Sequence, residues 1–260
     1  MAGLGNQTSL RGTSPHTVTD DPKSSRQRSA RRVYDLLRAA IRSGAIEQRD
    51  LFVEHSIMRN FGTSRTSVRE ALQMLADDGL VIRAPRIGTV LTGSIEEIPV
   101  HEAPGETPAV LEDSPGYSVE LLDQRTITSP YLARRIESDD PRLAVQEYRL
   151  VQHGRPIEVL TIYATAAPVQ QVPYFDKLVD RWGSFERRFG VPVGVVTSTI
   201  EAVACEPRTA QLLQLADKAP VLRRETLVRD ADGAARELSY AHYRADRVAL
   251  TVRNNYADMR

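Results

Sequence analysis

The sequence predicts an α+β protein made of two units, a small helical module near the N-terminus and a larger mixed unit built on an antiparallel sheet. Three observations carry this expectation. Apolar residues recur at helical spacing over the first third of the chain, and from Tyr117 onward they fall instead into short runs divided by turn-forming residues. Between Ser94 and Gly116 stand four prolines, two glycines and six acids, with Val110-Leu111 the one adjacent pair of large aliphatics. With 260 residues, 41% hydrophobic and 26% charged, the chain can form one large domain or two small ones. A fibre, a disulfide-stapled mini-protein and a wholly disordered chain are excluded. The single cysteine, Cys205, cannot bridge within the chain, no run approaches 18 consecutive apolar residues, and the N-terminus lacks the apolar core of a signal sequence. A cytoplasmic location with no membrane partner is expected.

The zero net charge hides a sorting along the chain. Residues 1–93 hold 14 basic against 9 acidic residues, 94–116 none against 6, and 117–260 hold 20 against 19. A basic N-terminal third suits a polyanionic partner, but the solvated face of any soluble domain gives a similar count, so the motif has to decide.

Residues 1–28 contain too few large aliphatics to bury and read as a disordered tail. A domain is expected over 29–93. Its first helix carries Val33, Leu36, Leu37, Ala40 and Ile41 on one face and ends near Gly44. Ile57, Met58 and Phe61 form a second short apolar face, Gly62 supplies a tight turn, and Thr63 or Ser64 can cap a third helix. On that third helix Val68, Ala71, Leu72 and Leu75 point inward, which leaves Arg65, Thr66, Ser67 and Arg69 projecting near its start. Two helices joined by a glycine turn make a helix-turn-helix, whose second helix enters the major groove of a duplex. After Gly79, the runs 80–83 and 89–91 flank a basic-tipped turn containing Arg86 and Gly88, a hairpin wing placed for phosphate or the minor groove.

The chemistry suits the spacing. Arginine can give guanine O6 and N7 two parallel hydrogen bonds, worth about 1–3 kcal/mol of discrimination, while Ser and Thr hydroxyls and a helix N-terminus suit phosphates. The competing reading makes Arg65 and Arg69 an ordinary solvated face held by i,i+4 ion pairs. The preceding helix, the glycine turn and the basic hairpin, in that order, favour the DNA reading.

The run Gly62-Thr63-Ser64-Arg65-Thr66-Ser67-Val68-Arg69-Glu70-Ala71-Leu72, followed by Leu75, Gly79-Leu80, Arg86 and Gly88-Thr89, resembles the winged helix-turn-helix of the GntR family of bacterial regulators. The resemblance implies that Arg65 and Arg69 address operator bases and backbone, that Gly88 enters the minor groove, and that Glu54, Ser64, Thr66, Ser67, Arg86 and Thr89 belong to the same DNA-binding set. Leu51 and Glu54 match a Leu-Pro-Ser-Glu stretch of the family, in which Phe52 and Val53 here replace Pro-Ser.

Residues 94–116 read as an acidic linker, and 117–255 as an effector-binding and dimerisation domain. Turns at 152–156 and 230–233 each join two strand-like stretches, with helices expected near 129–137, 175–189 and 207–216. Gly154-Arg155-Pro156-Ile157, Ile200-Glu201-Ala202, Asp232-Gly233, Glu237, Ser239, Tyr243, Arg244, Asp246 and Arg247 resemble the UTRA domain of the HutC subfamily, which implies a chorismate-lyase-like mixed fold with an antiparallel sheet. Alternation sends Glu237, Ser239, Ala241 and Tyr243 to one strand face and Leu238, Tyr240 and His242 to the other. The first set suits a pocket for a small polar ligand, the rival being an ordinary solvent-facing surface. Relatives that bind amino-sugar phosphates carry Arg-x-Arg where Tyr148 and Leu150 stand here, and Arg149 points the other way, so a phosphosugar is less favoured and an apolar or mixed ligand stands beside it. The scattered histidines and lone cysteine give no metal site, and no nucleophile or acid/base pair gives a catalytic one. No cofactor is expected. The resulting expectation is a homodimeric repressor on a pseudo-palindromic duplex operator, released by a small effector. The alternatives are an effector-independent plasmid-transfer or architectural regulator and a catalytic C-terminal domain.

Overall fold

The computed structural model describes residues 29–47, 51–84, 88–100, 116–165 and 181–252. The expected tail, the Arg86 wing tip, residues 101–115 of the expected linker and the start of the 175–189 helix lie outside the described residues. The chain divides into two compact units, Met1–Gly93 and Ser94–Arg260.

In the first unit, helix α1 (Ala30–Arg42) starts at Ser29, whose side chain accepts from the Arg32 amide, and buries Val33, Tyr34, Leu37 and Ile41. Leu36, counted into that face from spacing, is exposed. Tyr34 takes the inner position because its ring packs inward while its hydroxyl donates to Asp78 at 2.5 Å, an acceptor that Arg38 also reaches at 3.3 Å. The strand β1 (Leu51–Phe52) precedes helix α2 (Glu54–Phe61), which closes at Gly62 with φ 57°. That left-handed conformation is cheap only without a side chain, and it lets the Thr63 amide reach back to the Met58 carbonyl. Helix α3 (Arg65–Asp77) follows, with Val68, Ala71, Leu72 and Leu75 wholly buried. Burying each leucine contributes about 2 kcal/mol. Strands β2 (Val81–Ala84) and β3 (Gly88–Leu91) form the wing, and β1 pairs with the other edge of β3 to give the order β1-β3-β2.

The second unit is a six-stranded antiparallel sheet in the order β5-β6-β7-β10-β9-β8. Its strands are β5 (Tyr117–Thr128), β6 (Arg142–Gln152), β7 (Arg155–Ala164), β8 (Val193–Ala204), β9 (Pro220–Asp230) and β10 (Ala235–Arg244). The expected turns are both present: His153 and Gly154, at φ 48° and 76°, join β6 to β7, and Gly233, at φ 86°, helps join β9 to β10. Helices α4 (Pro130–Arg135), α5 (Arg181–Phe189) and α6 (Pro207–Leu213) fall where helices were expected. Residues 94–100, expected as linker, instead contribute strand β4 (Glu96–Pro99), which pairs in parallel with β11 (Val248–Thr251). Ile95 is buried and Ile98 packs on the sheet, which offsets the chain entropy that a linker would keep.

The sheet has two covered faces. On the outer face α4 packs on Leu143 and Leu238, and α6 on Val159 and Val221. The inner face is covered at one end by Phe185 and Phe189 of α5, over Ala164 and Val228, and at the other by Val248, Ile98 and Leu250 of the β4–β11 ribbon. Between those two apolar ends the inner face is polar.

Candidate functional site

The start of α3 is built by its own cap. Ser64 accepts from the Ser67 amide at 3.1 Å, and the two hydroxyls lie 3.0 Å apart, so Ser64 and Ser67 hold the helix end while Thr66 projects outward. Thr63, the other candidate cap, is buried. Arg65 and Arg69 are 68% and 59% exposed, one turn apart on the same helix. The competing reading joined them by ion pairs within their own helix. Their partner is instead Glu54 at the start of α2: Oε2 takes Arg65 Nε at 3.0 Å and Oε1 takes Arg69 Nε at 3.2 Å. Arg65, with Arg69 behind it, holds the Glu54 carboxyl below its ordinary range. Glu54 is met through Nε of both exposed arginines, which leaves their Nη groups the donors that an end-on contact to a guanine edge needs. Arg83 on β2 ties the wing to this helix by donating to the Arg69 carbonyl at 3.2 Å. In the wing, Gly88 is exposed at φ 113°, whereas Thr89 is buried beside Phe52 and Arg83 in register, so its side chain is turned into the wing rather than outward.

The second set of candidates lies on the inner face. Glu237, Ser239, Ala241 and Tyr243 are 1%, 3%, 2% and 0% exposed, which overturns the solvent-facing alternative. Register aligns Ser239 with Ile162 and Gln146 on one side and with Thr226 and Ser198 on the other, a row with three hydroxyls and an amide across five strands. Arg188 of α5 lies 3.8 Å from Glu237, and Arg224 of β9 stands over the Tyr243 ring, 5.6 Å from its centroid. Tyr148 and Leu150 share this face as core residues, while Arg149 faces the other way and pairs with Glu120 at 2.8 Å, as alternation predicts. Gln146 Oε1, Arg188 Nη1 and Arg224 Nε are buried with no hydrogen bond. Most buried polar atoms in native proteins have partners, and an exception is met by a water, an ion or a ligand or stores strain, so these three atoms make the inner face a candidate site.

Comparison with known proteins agrees with both halves. Residues 29–91 match the family described as bacterial regulatory proteins, gntR family, and residues 183–249 match the UTRA domain. The chain carries a GntR-family helix-turn-helix domain followed by a UTRA domain. The HTH-type transcriptional regulator Rv0792c of Mycobacterium tuberculosis is 25% identical over 225 residues, 83% of each chain. A protein of Escherichia coli O157:H7 named "Probable fructoselysine utilization operon transcriptional repressor" is 22% identical over 205 residues, 77% of this chain and 84% of that one. Among solved structures, PhnF of Mycobacterium smegmatis shares the fold, with a TM-score of 0.56 and 24% identity over 86% of this chain and 99% of that one.

With these two domains the chain is a transcription regulator. No helix among its described residues is long and apolar enough to cross a membrane. A groove of about 500 Å³ also opens on the outer face, where Tyr240 and His242 point. Its charges are matched internally: Glu147 is paired with Arg208, Asp123 with Arg125, Arg223 with Glu201, and Glu206 caps α6 through the Thr209 amide. Burial and the nearby Arg223 hold the His242 imidazole below its usual range, so it stays neutral near pH 7. Arg223 Nε, which also lines this groove, is buried without a hydrogen bond, so the outer groove keeps one polar atom for a ligand while the inner face keeps several. Sequence reasoning singled out Glu237, Ser239 and Tyr243 but missed Gln146, Arg188 and Arg224, which reach the same face from three other elements.

Proposed function

We propose that this regulator binds a pseudo-palindromic operator as a homodimer, represses from it, and is released when a small molecule occupies the inner face of its sheet. The observation that carries the ligand-responsive part is the set of buried, unsatisfied polar atoms around Glu237, Ser239 and Tyr243. The repressor sign is supported by the relative that carries that name. Dimeric readers of this kind need two recognition helices about one duplex turn apart, and a ligand changes operator affinity by favouring one of two arrangements, a coupling of typically about 1–3 kcal/mol.

Three measurements test this reading. Selection of bound sequences from random duplexes is expected to return an inverted repeat with half-sites about 10 base pairs apart, occupied by two chains. A single unrepeated site bound by one chain would refute the dimeric part. Arg86→Ala, at the wing, is expected to weaken binding to all duplexes alike and to lower the slope of log affinity against log salt by about one unit. A thermal-unfolding screen against small metabolites is expected to find a stabilising compound, since a specific ligand raises the midpoint by mass action. Glu237→Gln and Tyr243→Phe should each remove that stabilisation while keeping one cooperative transition. If the compound still stabilises both variants fully, the effector does not bind this face.

A further inference from the structure

The wing is tied to α3 at two places. At its base the Leu80 amide donates to the Leu75 carbonyl at 2.8 Å, and the Leu80 carbonyl takes the Thr92 and Gly93 amides at 2.8 and 2.9 Å. Farther out, one residue short of Ala84, which pairs with Gly88 across the hairpin, Arg83 Nη2 reaches over to the Arg69 carbonyl at 3.2 Å. The base is held by backbone whatever the side chains are. The outer tie is one side chain, and its chemistry exceeds what the tie uses.

A main-chain carbonyl is served by a single N–H from a neutral group. Arginine brings five N–H donors in a planar fork and a permanent charge. Arg83 is exposed, its anchor is a neutral carbonyl, and no carboxylate among the described residues pairs with it. The two arginines of α3, by contrast, share Glu54.

The place of the anchor shows what the rest of the fork meets. An α-helix with its side chains is about 10–12 Å across and the major groove is about 12 Å wide, so a helix lying in that groove fills it from wall to wall. The walls are sugar–phosphate strands. A guanidinium bonded to the flank of α3 at Arg69, outside the helix and on the side of the wing, lies over a wall rather than over the bases.

We infer that Arg83 bridges α3 to the phosphate strand bordering the major groove, with one N–H on the Arg69 carbonyl and the outer N–H groups of the same fork on a phosphate oxygen. This rests on reading α3 as the recognition helix. The carbonyl holds the guanidinium in place before the duplex arrives, so less side-chain freedom is lost on binding, and the phosphate fixes how α3 and the wing sit on the duplex together.

The test is ethylation interference with the full chain on the duplex recovered by selection, which maps the phosphates whose neutralisation weakens binding. Wild type is expected to be sensitive at phosphates beside the guanines whose methylation at N7 also interferes. Arg83→Met should lose sensitivity at one of those phosphates and keep the others. Its slope of log affinity against log salt should fall by about one unit per bound chain, and that of Arg83→Met with Arg86→Ala by about two, since the residues meet different phosphates. Arg83→Lys should keep the slope yet bind about three- to tenfold more weakly, because an ammonium on a flexible stem does not hold carbonyl and phosphate in one plane. The inference is overturned if Arg83→Met keeps either the wild-type interference pattern or the wild-type slope, whatever its unfolding midpoint, since Arg83 then only props the wing. It is equally overturned if Arg83→Lys binds as wild type does, because the link to Arg69 then contributes nothing. If no guanine N7 methylation weakens wild-type binding, α3 does not read the major groove, and that reading falls together with this one.

Discussion

Arg65→Ala and Arg69→Ala are each expected to cut the ratio of affinities for operator over scrambled duplex by roughly tenfold to a hundredfold, the range set by about 1–3 kcal/mol per bidentate base contact. The structure adds a third variant that separates charge from placement. Glu54 binds both arginines through Nε, so it costs the surface a negative charge beside a polyanion and contributes orientation in return. Glu54→Gln should therefore raise affinity for scrambled duplex, by removing repulsion, while lowering the operator ratio, because two long side chains regain rotamer freedom that must be lost again on binding. A surface ion pair of this exposure contributes little to stability, about 1 kcal/mol or less, so the variant should stay folded. Fluorescence anisotropy on both duplexes at one fixed ionic strength reads all three. Unchanged ratios in both arginine variants would remove α3 as the recognition helix, and a Glu54→Gln chain that weakens on both duplexes equally would show that Glu54 holds structure rather than aim.

How much of this was legible in advance depends on the range of the interaction. Helices α1 to α3 and the wing follow from local spacing and one glycine, and each formed where the pattern placed it. The hairpins at His153-Gly154 and near Gly233 were equally local. Strand β4 was hidden because its acids and Pro99 read as linker and its partner β11 is some 150 residues away in a parallel pairing that no local pattern announces. Strand β8 is an edge whose residues are largely exposed on both faces, so it carries little alternation of burial to read. Glu54 was placed in the DNA-binding set by resemblance alone, because a carboxylate 11 and 15 residues before its partners gives no periodic signal. Arg224 shows the sharpest limit. Counting back from the pair Ala235 and Arg229 without interruption would set Ala241 against Arg223, but a bulge between Ala235 and Glu237 shifts the register by one and brings Arg224 to the inner face instead. A single-residue slip exchanges the faces of a strand, and nothing in the Arg223-Arg224 pair itself says which of the two turns inward.

Asp230 ends β9, and its replacement is expected to give the largest loss of stability of any single polar change in the second unit. Its side chain is fully buried. Oδ1 accepts from the amides of Asp232 and Ala234 at 3.0 and 2.9 Å, which shapes the turn into β10, and Oδ2 accepts from Arg236 Nε at 2.6 Å. Burial alone would push this carboxyl up, but the Arg236 guanidinium and the two turn amides outweigh it and hold the folded value below the usual one. A carboxylate depressed by folding stabilises fully above its unfolded pKa of about 3.9, and that contribution is lost as pH falls through the lower folded value. Asp230→Asn can keep both turn amides on Oδ1 but sets an N–H against Arg236, whereas Asp230→Ala abandons all three bonds. Asp230→Ala should therefore cost about 3 kcal/mol near pH 7, and Asp230→Asn less, since only the ion pair is lost and Arg236 retains partial contact with water. Urea unfolding between pH 3 and 7 measures both. The gap between wild type and Asp230→Asn should be constant down to about pH 5 and shrink below about pH 4 as the wild-type carboxyl takes up its proton. A gap that widens on acidification would mean that folding raises this carboxyl rather than depressing it, and that burial outweighs Arg236 at the hairpin.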